Sequence, residues 1–430
     1  MMTKKRELQA MQDFSYPLNE PLSAQQMFSR IRAYNENLRA VRFCRRPKDT
    51  AKLRILVKDN IGVEDFFTSA GSYALRHLML PDAFCVRQIR KNTQIDIFGK
   101  THLTELAGFV TTRVLKDGYS ELGGFGRNPH GAQHPCRGSS SGSAIACAAG
   151  FCDAALGTET RGSLMMPAMA NGVYGFKPTR GSVSRSGIIP LSSSFDAPGV
   201  LARSISGLKT VFSSMLGKDE FDFQSFTPES LRKKRFNGRT LLFFISPGDE
   251  AALNSRSVRR LISALKNGGF HIEFRCAPMV EFDYKTISSA DIKKDMTDFL
   301  QRYASETEPK TFEALVERYI SRAHAHPYGM ERLTYAQETE LPHGKALDFL
   351  VQINTQKANR LIGEALEMSG AQAVLSLNYL DWWAIGGGPS LSMPIDFSVT
   401  LPRSIMIGAK AREDYALLSL AEEIEGLLNR

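Results

Sequence analysis

Apolar positions along the chain follow two periods. Continuous runs of strand length stand at Leu53–Val57, Ile95–Phe98 and Leu241–Ile245, and Phe270, Ile272 and Phe274 alternate with polar residues. Helical spacing appears in Met27, Ile31 and Leu38 within 24–39, and in Val258, Leu261, Ile262 and Leu265. It returns in Leu417, Leu420, Ile424 and Leu427 within about 413–428. Asn254 and Gly268 are the expected caps of the 258–265 helix. Ser143–Gly150 is Ala-rich and reads as a close-packed helix. Residues 117–143 are rich in Gly and Ser without aliphatic periodicity, which predicts a long loop, and a second loop is expected near Gly157–Pro167. Loops of that length inside a compact domain are usually functional. Strands alternating with helices predict an α/β fold. The stretch 280–370 reads as charged, helical and without assignable chemistry.

Composition narrows the class. The 430 residues are 43% apolar and 23% charged, which excludes bulk disorder and permits a large core. The longest apolar run, Ala144–Gly157, is broken by Asp153 and too short for a membrane span. Lys4, Lys5 and Arg6 are not followed by an apolar stretch, so no secretory signal is expected. The net charge of +9 is densest at Arg232-Lys233-Lys234-Arg235, which reads as a solvated loop before a strand. No zinc-finger spacing or aromatic box accompanies it, so nucleic acid is not an expected partner. Cys44, Cys85, Cys136, Cys147, Cys152 and Cys276 form no C-x-x-C pair, which suits free thiols in a reducing, cytoplasmic compartment.

Three patterns bear on chemistry. Gly138-Ser139-Ser140-Ser141-Gly142 matches G-x-S-x-G, but a Pro- and His-bearing loop precedes it where a nucleophile elbow needs a strand. His324-Ala325-His326 has the spacing of a metal pair but reads as surface, since no third ligand is spaced with it. The third pattern is two serine-bearing glycine-rich loops, Gly138–Ser143 and Thr158–Ser163, with Lys58 at the end of an apolar strand. A serine needs a base to take its proton, and a lysine made neutral by burial serves. A second serine can relay the proton, because a hydroxyl both donates and accepts. Small residues around Ser163 let backbone N–H groups converge on an oxyanion, each worth about 3 kcal/mol.

These residues resemble the amidase signature family. Its G-G-S-S-G-G-S-A hallmark is matched by Arg137–Ala144, and its G-T-D-T-G-G-S-I-R-x-P-A segment by Gly157–Ala168. Ser139 and Ser163 stand 24 positions apart, the separation of the family's two catalytic serines. Val57–Asn60 resembles the family's lysine strand, Gly99–Glu105 its G-K-T-N-x-x-E segment, and Gly175–Gly181, Ser194–Asp196 and Gly199–Arg203 its downstream block. Gly388–Pro394 resembles its late strand. The likeness is dense over 51–205 and returns over 238–276 and 370–428.

The resemblance implies a mixed central β-sheet covered on both sides by α-helices. It implies an N-terminal helical lead-in over 1–50 and one domain over 51–430, with substrate walls drawn from a variable region at about 215–380. It also implies an amidase in which Ser163 attacks a carboxamide, Ser139 bridges to Lys58 across a cis peptide bond, and Ser140 supports by hydrogen bonding. The N–H groups of Thr160, Arg161, Gly162 and Ser163 would hold the oxyanion. No metal or organic cofactor is required. A small-molecule amide is the expected partner, and a homodimer is left open.

Three departures stand out. Arg161 and Ser141 replace glycines, and Met165 occupies the place of the arginine in S-I-R. Either Arg161 is strained at positive φ, or its side chain reaches substrate or a nearby acid. Trp382 and Trp383 either line a pocket or pack in the core. Three functional readings remain: hydrolysis, amide-forming acyl transfer or amidotransfer on the same residues, and a catalytically silent binding protein.

Overall fold

The computed structural model describes residues 21–111, 117–231, 235–396 and 401–430. Arg232, Lys233 and Lys234 of the basic cluster lie outside the described residues, and Arg235 is exposed. Thirteen strands follow in chain order: β1 (Val41–Cys44), β2 (Leu53–Lys58), β3 (Ile95–Thr101), β4 (Tyr119–Ser120), β5 (Gly124–Phe125), β6 (Ala154–Glu159), β7 (Tyr174–Lys177), β8 (Ala197–Ala202), β9 (Thr240–Ile245), β10 (His271–Cys276), β11 (Ala373–Ser376), β12 (Ser390–Asp396) and β13 (Arg403–Gly408). Eleven form one sheet in the order β1-β3-β2-β6-β8-β7-β12-β13-β11-β9-β10, and β4 with β5 makes a separate hairpin.

The sheet is mixed. β2 runs parallel to β3 and β6, and β9 parallel to β10 and β11. The strands between these two groups pair antiparallel. β1, which the 1–50 stretch contains, is an edge strand paired with β3. Successive side chains of a strand point to opposite faces, so a sheet covered on both sides buries every position. Ile55 and Val57 of β2 enter one core and Leu56 another. In β9, Leu241 and Phe243 separate from Leu242 and Phe244 in the same way. This is why the strands appear in sequence as continuous apolar runs.

The helices refine two sequence expectations. The Arg256–Asn267 helix is capped by Ser255, whose hydroxyl accepts from Val258 N–H, rather than by Asn254, which ends the preceding turn. The Ala-rich helix spans Ser141–Ala148 and begins inside the first serine loop. Helices Tyr284–Tyr303, Phe312–Ile320 and Glu331–Glu338 occupy the stretch without assigned chemistry. They form a cap whose Ile292, Phe299 and Leu315 pack on Leu78, Leu106 and Leu191 from the loops beyond the sheet. Trp382 and Trp383 are core residues, and Trp383 Nε1 donates to the Ala409 carbonyl at 2.8 Å.

Candidate active site

Lys58 is the last residue of β2 and is fully buried. Its Nζ donates to Ser139 Oγ at 2.8 Å, Ser140 Oγ at 3.0 Å and Thr158 Oγ1 at 2.9 Å. Adjacent parallel strands β2 and β6 carry Lys58 and Thr158 to the same sheet end. Ser139 and Ser140 arrive from the loop before the Ser141–Ala148 helix, and the Gly138–Ser139 peptide is cis. Burial pulls the Lys58 ammonium down from 10.5 to about 7, against the opposing charges of Asp196 and Glu159.

Ser163 follows the turn that leaves β6. Its carbonyl accepts from Ser140 N–H at 3.1 Å, which ties the two serine loops together. Among the described residues, no hydrogen bond joins the hydroxyls of Ser139 and Ser163. Two carboxylates, the buried Glu159 and the partly buried Asp196, shape the turn. Glu159 Oε2 accepts from Leu164 N–H at 2.7 Å and Met165 N–H at 3.0 Å, folding the chain back on itself. Asp196 Oδ1 accepts from Thr160 Oγ1 at 2.5 Å, while its Oδ2 takes the N–H groups of Leu191 and Ser192. Among the described residues, the N–H groups of Arg161, Gly162 and Ser163 have no protein acceptor, so the turn presents free donors.

The two alternatives for Arg161 are resolved. The left-handed residue of the turn is Gly162, at φ 86°, and not Arg161. Arg161 instead reaches Asp381 at 2.9 Å, with its guanidinium 4.9 Å from the Tyr284 ring centroid. Met165, at the family's arginine position, is fully buried among Leu164, Ala168 and Val173.

A family model described as Amidase matches residues 51–418. The chain belongs to the amidase family. The chain is 45% identical over 169 residues to a Schizosaccharomyces pombe protein named as an amidase, covering 39% of this chain and 29% of that one. It is 42% identical over 179 residues to a component of the glutamyl-tRNA(Gln) amidotransferase of Methanothermobacter thermautotrophicus, covering 41% and 38%. The matched segments thus span well under half of these two relatives. The solved native peptide amidase of Stenotrophomonas maltophilia covers 94% of this chain and 93% of its own, at 26% identity and a TM-score of 0.84.

Of the sequence candidates, Lys58, Ser139 and Ser140 come into direct contact, and Thr160, Arg161, Gly162 and Ser163 form the adjoining turn. Thr158, Glu159, Asp196 and Asn60 were not singled out in the sequence as site-shaping residues. Their signal was present, because a buried carboxylate inside a glycine-rich turn must satisfy backbone donors. His326 acquires neighbours that no spacing suggested: Glu105 and Glu121 each place a ligand atom within 4.8 Å of its ring and of each other. His324 remains exposed. Among the described residues no helix is long and apolar enough to cross a membrane.

Proposed function

We propose that the chain hydrolyses a carboxamide through an acyl-enzyme on Ser163. The observation that carries this reading is the buried Lys58, held 2.8 Å from Ser139 Oγ with its ammonium brought down to about 7. In that range a neutral amine is available as a base. Ser163 Oγ attacks the carbonyl carbon, and its proton passes through Ser139 to Lys58. The N–H groups from Thr160 to Ser163 receive the developing oxyanion. Lys58 then returns the proton through Ser139 to the departing nitrogen, the C–N bond breaks, and water releases the acid. Ser140 and Thr158 hold the Lys58 nitrogen on its path. No step calls for a cofactor.

The test is a fluorophosphonate probe followed by intact mass and peptide mapping. A single adduct on Ser163 that disappears in Lys58→Ala supports the reading. No adduct on folded protein favours the silent binding protein. A second reading, transfer of the acyl group to an amine or release of ammonia to a partner, draws on the similarity to an amidotransferase component. Candidate amines test the transfer: new amide products seen by mass spectrometry support it, and acid as the sole product supports hydrolysis.

A further inference from the structure

A cavity of about 270 Å³ opens beside the end of β6. Its inner wall holds Asn60, Thr158, Thr160 and Asp196. We propose that this cavity receives the departing amine of an N-substituted amide, so that the enzyme cleaves secondary amides carrying an apolar or aromatic amine. The inference rests on the hydrolytic reading above.

Position is the first argument. Thr158 Oγ1 accepts from Lys58 at 2.9 Å and from Asn60 Nδ2 at 3.1 Å. The cavity therefore abuts the residues that hold the lysine, and that lysine returns the proton to the departing nitrogen. The assignment puts the departing nitrogen at the wall formed by Asn60, Thr158 and Thr160. Across the cavity stands Ala107, whose neighbour Gly108 faces Ser139: a Cβ on Gly108 would lie 3.9 Å from the Ser139 Cβ.

An unmet hydrogen bond is the second argument. Asn60 is 2% exposed, and among the described residues its Oδ1 has no partner. A buried carbonyl oxygen without a donor is a desolvation cost with nothing to offset it. An amine N–H in the cavity supplies the donor.

The walls set the chemical class. Ile188, Pro190, Leu191 and Pro198 present carbon. Phe221 and Phe223, 76% and 82% exposed, stand at the rim, an unusual exposure for side chains of that size. The carboxylates of Asp196, Asp222, Asp295 and Asp298 outnumber the guanidiniums of Arg185 and Arg302. A protonated amine product is tolerated there, and an amine bearing a carboxylate is not. In the reaction R–CO–NH–R′, the C–N bond breaks as the Ser163 ester forms. Ser163's proton ends on nitrogen, and R′–NH2 enters the cavity.

The test uses the full chain and two readouts. The first is the ratio of kcat/KM for N-benzylacetamide over acetamide, in the wild type and in Pro190→Trp, which places an indole in the cavity. The ratio is expected to favour the benzyl amide about tenfold and to fall by about tenfold in the variant. The second is calorimetric binding of benzylamine to Ser163→Ala protein, expected to be weakened by Asn60→Leu and lost with Pro190→Trp. Benzylamine that fails to bind, or binds equally to all variants, overturns the cavity assignment. If neither amide turns over yet benzylamine binds in the expected pattern, the hydrolytic reading fails and the amine site stands. If both amides turn over equally and benzylamine does not bind, the reverse holds.

Discussion

Arg161 and Asp381, far apart in the chain, meet at 2.9 Å in the turn that carries Ser163. The pair fastens a segment of free backbone donors to the start of the Trp382–Gly386 helix, and the Tyr284 ring of the cap lies beside the same guanidinium. The glycine that the family resemblance places at this position could not make this pair. Because the Arg161 side chain is 45% exposed, the ion pair contributes little to global stability. Its consequence is local order in the turn.

Arg161→Gly and Asp381→Asn are each expected to lower kcat/KM by about tenfold, or 1.4 kcal/mol of transition-state stabilisation. Stability should change by less than about 1 kcal/mol. The double variant should lose no more than either single one, because both remove the same contact. A double-mutant cycle on kcat/KM, with denaturant curves alongside, measures this. Independent, additive losses would show that the two residues act separately.

Lys58 predicts two pH dependences of defined sign. As the base it acts neutral, so kcat/KM should rise with pH through about 7 and level off above. In the unfolded chain the same lysine keeps its proton up to about 10.5. Between these values the unfolded state binds more protons, so this group makes stability rise with pH from about 7 to 10.5. Lys100 and Lys177, both buried and brought down to about 8, act in the same direction. Comparing urea unfolding of wild type and Lys58→Met at pH 7 and pH 9 isolates the Lys58 share. The variant should show the shallower slope and the higher stability at pH 7.

Glu159 accepts two N–H groups in a fully buried position. Glu159→Ala leaves both donors unpaired and should destabilise the fold by about 2–6 kcal/mol, at about 1–3 per buried group. Glu159→Gln keeps an acceptor oxygen and should lose less than half of that. Thermal melts of the two variants check the order. Equal melting temperatures would mean that the carboxylate does not hold the turn.

Gly162 is the one turn residue whose backbone lies in the left-handed region, at φ 86°. A Cβ there would stand 2.7 Å from Met166 Sδ and 3.1 Å from a Tyr379 ring carbon. Gly162→Ala should cost about 1–3 kcal/mol of stability. It should also lower kcat at least as much as Arg161→Gly, since it displaces the donors themselves. Steady-state kinetics on both variants decides the order.

Local order in this protein is written in the chain. The period-two and helical patterns, the small residues of the two serine loops and the lysine ending an apolar run predict the α/β fold, and the motifs predict which side chains gather. Those signals are legible because they come from residues within a few positions of each other. Which acid Arg161 meets was not legible. Neither was the place of the cap helices over the site, the burial of Trp382 and Trp383, or the approach of Glu105 and Glu121 to His326. These depend on distant segments, 220 residues apart for Arg161 and Asp381 alone, brought together only when the sheet order is set. Desolvation of Lys58 is a tertiary outcome as well. The sequence placed a lysine at a strand end, but only the packing of β6 and the first serine loop around it removed water from it and weakened its hold on a proton.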